Sequence, residues 1–572
     1  MPKWPKDFAA LAFVHAGLIA AAAGAVWFVD TQSPKLPLSD EWDVLHGWVG
    51  SDSTGRWAFS HHNEHRYPLS KLLWLGILRA TEFNFAAPQY ATLGLLIASA
   101  LLFLWTARIL RGRSHPVDLM FPALLLHFGH AFNLQMGYQV GFALVAYAIA
   151  GWLWCAARLS NGGGTTWALL SGGYAGTLIL CGGFGLAFTP VVLFWFGYLG
   201  LRAKRGGHRR SMLAFVAFFA LALGYSAWTA LTMPKFQVSG GLSPLEQPGE
   251  FLTGVAGYLT SAAGCWSGRE PMESWVVVAV AIPILLSYGV GFRMLANVID
   301  DADSRRRTMA VAILLVLLGT LFVGGAAARA RGTGLTERMT TSSAAGFAAV
   351  LLGMFALNSP RRGSWTSILC GVTGVSVAVG LIWANQKTGL DWAFVMRDSD
   401  HNLRADIRAG ETPDFLAGRH GGGIGVLMGD RFADQIRAFR KAGIPPFAAL
   451  PDDPPYRRVA VVAPGLPTSW SLTEADWLAG SPPPSLALPN PPPGAVGLRL
   501  RVDTIRSSGR MKLLLRYRSG GRERETDAQP FYFCQPMHLL FRLDGPAGDL
   551  HLLAGSALGD LGIESAEWLI RE

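Results

Sequence analysis

The chain has 572 residues; 51% are hydrophobic, 20 are tryptophan and only 15% are charged, against about a quarter in ordinary globular proteins. Its formal net charge is +10, and the whole imbalance precedes Asn385: residues 1–385 carry 27 basic and 17 acidic side chains, residues 386–572 carry 22 of each. That excludes a string of soluble domains, a disordered chain and a small disulfide scaffold, and a basic excess confined to the apolar part argues for loops at anionic lipid rather than for nucleic acid.

Eleven stretches are apolar enough to cross a bilayer, near the roughly 20 residues such a helix needs: 8–29, 90–110, 117–133, 140–158, 166–181, 184–201, 211–231, 275–297, 308–327, 343–358 and 364–385. Lys3 and Lys6 precede the first, which is long enough to be an uncleaved spanning helix rather than a signal peptide. Only Cys181, Gly182 and Gly183 separate the fifth from the sixth; their fusion would leave ten. The five cysteines form no CxxC pair and specify neither a zinc site nor a disulfide framework.

Charge bias sets the expected orientation. With the N-terminus inside, the inner connections hold 17 cations, among them Arg108, Arg111, Arg158, Arg209 and Arg210, and the outer ones hold 10. Loops 30–89 and 232–274 and the whole of 386–572 are then expected outside, which in a bacterial inner membrane is the periplasm.

The C-terminal part is predicted as a mixed α/β segment, 386–481, a proline-rich extended linker, 482–493, and a small β-sandwich, 494–572. In the first, Phe432, Ile436 and Phe439 recur at helical spacing within Asp430 to Ala442. In the last, Leu498 to Val502, Leu513 to Tyr517, Phe531 to Phe533, Leu539 to Leu543 and Leu550 to Leu553 are apolar or alternating runs of strand length between Gly, Pro and Asp breaks. The glycine run around Gly423 and Gly425 lacks a surrounding strand–crossover unit and reads as a turn, not a dinucleotide site.

The first long outer loop carries the candidate chemistry. Asp40, Glu41 and Asp43 place three carboxylates within four residues, and their repulsion is expected to raise at least one pKa toward that of a general base. The same string also fits a solvated acidic cap on a loop helix. Further on come His61, His62, Asn63, Glu64, His65 and Arg66, then Lys71. His61, Glu64 and His65 match the HxxEH pattern of zinc hydrolases, although exposed interfacial histidines fit as well. Arg66 and Lys71 suit a phosphate or anionic headgroup, or simple interface anchoring. Arg329, Arg331 and Arg338 run against the usual bias of outer loops, so a lipid phosphate, or pairing with Glu337, is expected to balance them. In the third span His127 and His130 share a face with Asn133, either lining a cavity or bonding helices together, and Gln135 follows at its outer end.

On the Asp40–Glu41 pair in a long first outer loop, the eleven spans and the outer C-terminal domain, the chain resembles the GT-C class of polytopic glycosyltransferases. It is also similar to bacterial membrane proteins with an Asn-Glu-His-Arg string, here Asn63 to Arg66, before the second span. The resemblance implies a polyprenyl-phosphate-linked sugar donor, a periplasm-facing glycan, lipid or protein acceptor, Asp40 as the base that deprotonates the acceptor hydroxyl, and Glu41 in support. Asp43, His61, Asn63, Glu64, His65, Arg66, Lys71, His130, Gln135, Arg329, Arg331 and Arg338 are then expected to contact substrates. Residues 133–139 contain no carboxylate, whereas many members carry one in the second outer loop. No cofactor or metal is expected for a monophosphate donor. The competing expectation is a lipid or solute transporter, although the spans show neither central acidic residues nor half-to-half symmetry.

Overall fold

The computed structural model describes residues 8–62, 65–233, 243–264, 274–299, 304–331, 339–357, 365–421, 431–453, 456–461, 470–472, 485–507, 512–528, 537–556 and 559–571. Its contacts divide the chain into two units, one of Met1–Ser33 with Ser53–Phe394, the other of Pro34–Asp52 with Val395–Glu572. The first long loop is thus split between them.

The first unit is helical and membrane-embedded: among the described residues eight helices are long and apolar enough to cross a bilayer. They match eight of the eleven expected spans. The other three are also helices, Thr165–Ile179, Thr189–Arg205 and Ser274–Ile299. The fifth and sixth stretches are separate, because Gly182 turns the chain at φ +98° and Gly185 packs so tightly on the Leu178 carbonyl that a Cβ would overlap it.

Two helices depart from the sequence expectation. The stretch 117–133 is broken after Leu126, where His127 adopts an extended backbone and its Nδ1 accepts a hydrogen bond from the Gly129 N–H at 3.0 Å. A polar side chain that caps the next turn has replaced a helical bond. The last helix, Trp365–Arg408, has 44 residues and continues where the apolar stretch stops. At 1.5 Å per residue that is about 66 Å, twice the hydrocarbon thickness.

In the second unit, helix Asp40–Val49 packs on helix Arg431–Lys441. Phe432, Ile436 and Phe439, the predicted apolar face, are fully buried. Strands β1 (His61–His62) and β2 (His65–Arg66) form a small hairpin in the first unit. The remaining nine belong to the second: β3 (Tyr456–Ala460), β4 (Trp470–Leu472), β5 (Ser485–Leu488), β6 (Ala495–Ser507), β7 (Lys512–Ser519), β8 (Arg522–Ala528), β9 (Met537–Arg542), β10 (Gly548–Ser556) and β11 (Gly559–Arg571). They make two antiparallel sheets, ordered β5-β10-β7-β8 and β3-β11-β6-β9, with β4 paired to β11. Alternation drives the packing: Leu498, Leu500 and Val502 on β6 and Leu513, Leu515 and Tyr517 on β7 point into one shared core, while Arg501, Arg516 and Arg518 point out.

The sandwich therefore starts near Tyr456, and part of the expected proline-rich spacer is strand β5, paired with β10 through Leu488 and Leu550. Phe531 to Phe533 and the glycines at 423 and 425 lie outside the described residues. A fragment beginning at residue 494 lacks β3, β4 and β5 and is expected to stay largely unfolded, whereas one beginning at 456 is expected to give a strand-dominated circular dichroism spectrum. Equal folding of the two would show that the added strands are not part of the cooperative sandwich.

Candidate functional site

The acidic triplet forms the first turn of helix Asp40–Val49, where carboxylates suit the positive end of the helix dipole. Its members differ sharply. Glu41 is fully buried, and its Oε2 accepts a hydrogen bond from the Leu38 N–H at 2.8 Å, fixing the turn into the helix. Asp43 is half-buried and accepts from Gln435 Nε2 at 2.9 Å, with Arg431 at 3.7 Å. Asp40, half-buried at the first helical position, is the more accessible member of the Asp40–Glu41 pair.

The helix is held by Trp42, which is fully buried with ring centroids 4.6, 5.7 and 5.4 Å from Phe432, Phe439 and Phe447. The approach to it is fixed by Asp400, whose Oδ1 accepts from the Lys35 and Leu36 N–H groups, both at 2.9 Å. Neither Trp42 as an anchor nor Asp400 was marked by a sequence motif; an aromatic inside an acidic string was the available signal.

In the first unit, the β1–β2 pairing sets His61 opposite Arg66 and His62 opposite His65. Successive strand residues face opposite sides, so the two histidines of the HxxEH pattern are not cross-strand partners, unlike the shared face that a helix would give them. Asn63 and Glu64 lie outside the described residues. Among the described residues no three His, Cys, Asp or Glu side chains cluster as metal ligands. Burial and the charges of Arg66 and Lys71 lower the pKa of His61, which favours its neutral form. His65 packs its ring against Gly183 and against Tyr67, and Tyr138 gathers His62, Tyr67 and Trp74 edge-on around itself.

The expected phosphate contacts Arg66, in this hairpin, and Lys71, on the helix Pro68–Ala80 that follows, are largely spent on the protein. Lys71 is 2% exposed, and its Nζ donates to the carbonyls of Trp57 and Ser60 and to Ser60 Oγ, each at 3.0 Å. Three donors have three acceptors. Arg66 bonds the Phe59 carbonyl and Thr232 Oγ1, and its guanidinium lies 4.1 Å from the Trp228 ring. Both cations thus tie the loop to its own helices.

Within the bundle, His130 is fully buried with Nδ1 at 2.9 Å from Thr341 Oγ1 and Nε2 at 2.8 Å from the Leu124 carbonyl, and Asn133 donates to the same threonine. Gln135 donates to the carbonyls of Gln32 and Ala393. These groups join helices. Arg329 is exposed near the end of helix Ser304–Arg331, while Arg338 and the side chain of Arg331 lie outside the described residues.

One cavity in the second unit was not foreseen from sequence. About 250 Å³ in volume, it is lined by Asp414, Arg437, Tyr456, Arg458, Arg499 and His538 among others. Arg437 bridges Asp414, Asp434 and Asp453, and burial together with Asp453 raises the pKa of Asp414. The alternation of Tyr456 and Arg458 on one strand face was the only signal.

Burial, with a smaller contribution from Arg66, pushes the Lys71 pKa down to about 8. Below that pH the amine is protonated folded and unfolded; between about 8 and 10.4 the unfolded chain keeps a proton the folded chain has released. Folding stability is therefore expected to rise with pH across that window, by up to about 1.4 kcal/mol per pH unit. Lys71→Met should remove that increment, and denaturation of both proteins at pH 7.5 to 10 in one detergent measures it. Identical pH profiles would show that the amine titrates normally.

No family model matches the chain, and no curated protein is similar to it in sequence.

Proposed function

We propose that the protein is a glycosyltransferase of the bacterial inner membrane that moves a monosaccharide from a polyprenyl-phosphate carrier to a hydroxyl of a periplasm-facing glycan, lipid or protein. The observation that carries this reading is the placement of the acidic turn: Glu41 is buried and bonded to the Leu38 N–H, and Asp40 stands half-buried at the first position of a helix anchored by Trp42. A positioned carboxylate is what activates a hydroxyl, since the acceptor is a poor nucleophile at neutral pH.

In the proposed reaction Asp40 takes the acceptor proton as the acceptor oxygen attacks the anomeric carbon. The carbon–oxygen bond to phosphate breaks on the opposite side, inverting the centre, and polyprenyl phosphate leaves. Arg329, Arg331 and Arg338 are the candidates to stabilise that phosphate, because guanidinium groups grip its oxygens in a fork. The cavity lined by Tyr456, Arg458 and Asp414 offers a second place for an acceptor sugar: an aromatic face beside polar groups, smaller than the roughly 300–1,000 Å³ of sites for drug-sized ligands.

Transport is the competing reading. The hydrogen-bonded state of His130, Asn133 and Gln135 favours the enzyme, because polar groups that bond helices together do not line a path.

Asp40→Asn keeps the shape and removes the basicity, so it is expected to preserve expression and donor binding while lowering transfer at least about 100-fold. Intact-glycan mass analysis of cells with and without the protein identifies the product in which that loss is read. Near-normal turnover in Asp40→Asn, with activity and bound zinc both lost in His61→Ala, would replace this reading with metal-dependent hydrolysis. A reporter fused after Arg210 is expected to behave as cytoplasmic and one after Gly521 as periplasmic; the reverse pattern would place the acidic turn on the wrong side for a periplasmic acceptor.

A further inference from the structure

One face of the sheet β3-β11-β6-β9 packs into the sandwich core, and the other is covered by helices. Residues directly opposite on neighbouring strands share a face, so the pairs Arg458–Leu569, Glu567–Arg499 and Arg499–Leu540 place these five side chains on one side, with Tyr456 two residues before Arg458. Helix Pro413–His420 lies over that side. Its Phe415 clusters with Leu540 and Leu569, the Phe415 ring meets Tyr456 edge-on at 6.0 Å, and a Cβ at Gly418 would overlap Leu540. The cavity of about 250 Å³ is what remains between this helix, helix Arg431–Lys441 and the sheet.

Three arginines line it, and the protein uses two. Arg437 is held by Asp414 at 2.6 Å, Asp434 at 2.9 Å and Asp453 at 2.8 Å, and Arg499 pairs with Glu567 at 3.3 Å. Arg458 is different. It is exposed, and among the described residues it makes no ion pair and no side-chain hydrogen bond. A guanidinium that belongs to the lining yet reaches solvent stands where the cavity opens, in position to take one anionic group in its planar fork.

The rest of the lining asks for more than a bare ion. Leu540, Leu569, Ala417 and the Tyr456 ring supply an apolar wall. Asp414 gives one oxygen to Arg437, and an ionised carboxylate has about four acceptor positions, so it keeps capacity for a donor from a ligand. A pyranose offers that mixture, with C–H faces for an aromatic ring and leucines and hydroxyls for a carboxylate. The volume holds about one such ring, being below that of sites for drug-sized ligands.

We propose that this cavity binds one acidic pyranose, a uronate, of the acceptor glycan, with Arg458 gripping the sugar carboxylate, Tyr456 and Leu569 against its C–H face and Asp414 accepting from a hydroxyl. As a statement about the acceptor it rests on the glycosyltransferase reading; as a binding site it rests on the second unit alone.

Isothermal titration calorimetry of the purified full-length protein with methyl glucuronide, methyl glucoside, acetate or inorganic phosphate tests it. The glucuronide is expected to bind at least about 10-fold more tightly than the glucoside or acetate, and Arg458→Gln should lose about 10-fold, the scale of one charge-assisted hydrogen-bonded pair. Arg458→Lys keeps the charge without the fork and should recover part of the affinity. Arg457→Gln removes the same charge from the next residue of β3, which faces the other side of the sheet, and should change little. Arg457 and Arg458 are both exposed, so these variants are expected to fold. Equal affinity for glucuronide and glucoside, unchanged affinity in Arg458→Gln, or an equal loss in Arg457→Gln would overturn the site. Acetate or phosphate bound as tightly as the glucuronide would overturn the sugar as its occupant. Binding is read without turnover, so a protein that transfers no sugar is still expected to hold the glucuronide, and a protein that transfers sugar without holding it overturns this site alone.

Discussion

Trp42 packed among Phe432, Phe439 and Phe447 is the contact on which the candidate chemistry rests. It ties a short helix from the first loop to a helix almost 400 residues later in the chain. Burying an indole so completely contributes about 3–5 kcal/mol by the usual cost of truncating one. The acidic turn at the start of that helix inherits the rigidity. A general base works only if its oxygen is held near the hydroxyl it serves, and a ten-residue helix on its own would fray.

Unit one obeys a different constraint, that polar groups in an apolar bundle must find partners inside it. Lys71 meets three oxygens, Arg111 meets Asp118 and a carbonyl, and His130 uses both ring nitrogens. Such satisfied groups hold helices and loops in register.

Apolar stretch length told most of the first unit, since long hydrophobic runs admit few alternatives to a spanning helix. What escaped it were places where one side chain overrides a pattern. His127 caps a new turn inside a stretch with the composition of a continuous span. Past Asn385 polarity suggested a new segment, yet Trp365–Arg408 runs on, because helix propensity does not end with hydrophobicity. Alternation located β6 and β7 but passed over β5, whose four residues Ser485–Leu488 are framed by prolines and form a strand only by pairing with β10. The carboxylates of Asp40, Glu41 and Asp43 were visible as a charged string. That Glu41 would turn inward to bond Leu38 was not, since capping is decided by a backbone turn that composition does not encode.

Chain connectivity adds a last constraint on the acidic turn. Residues 34–52 leave the first unit at Ser33 and return to it at Ser53, so the segment is tethered at both ends. Asp40 is seven residues beyond Ser33. Ser33 itself is held in the bundle, its Oγ 3.5 Å from the Leu134 carbonyl. Tethering at both ends also limits the conformations open to the segment when its helix undocks, so holding the turn in place costs less entropy than it would for a free chain end.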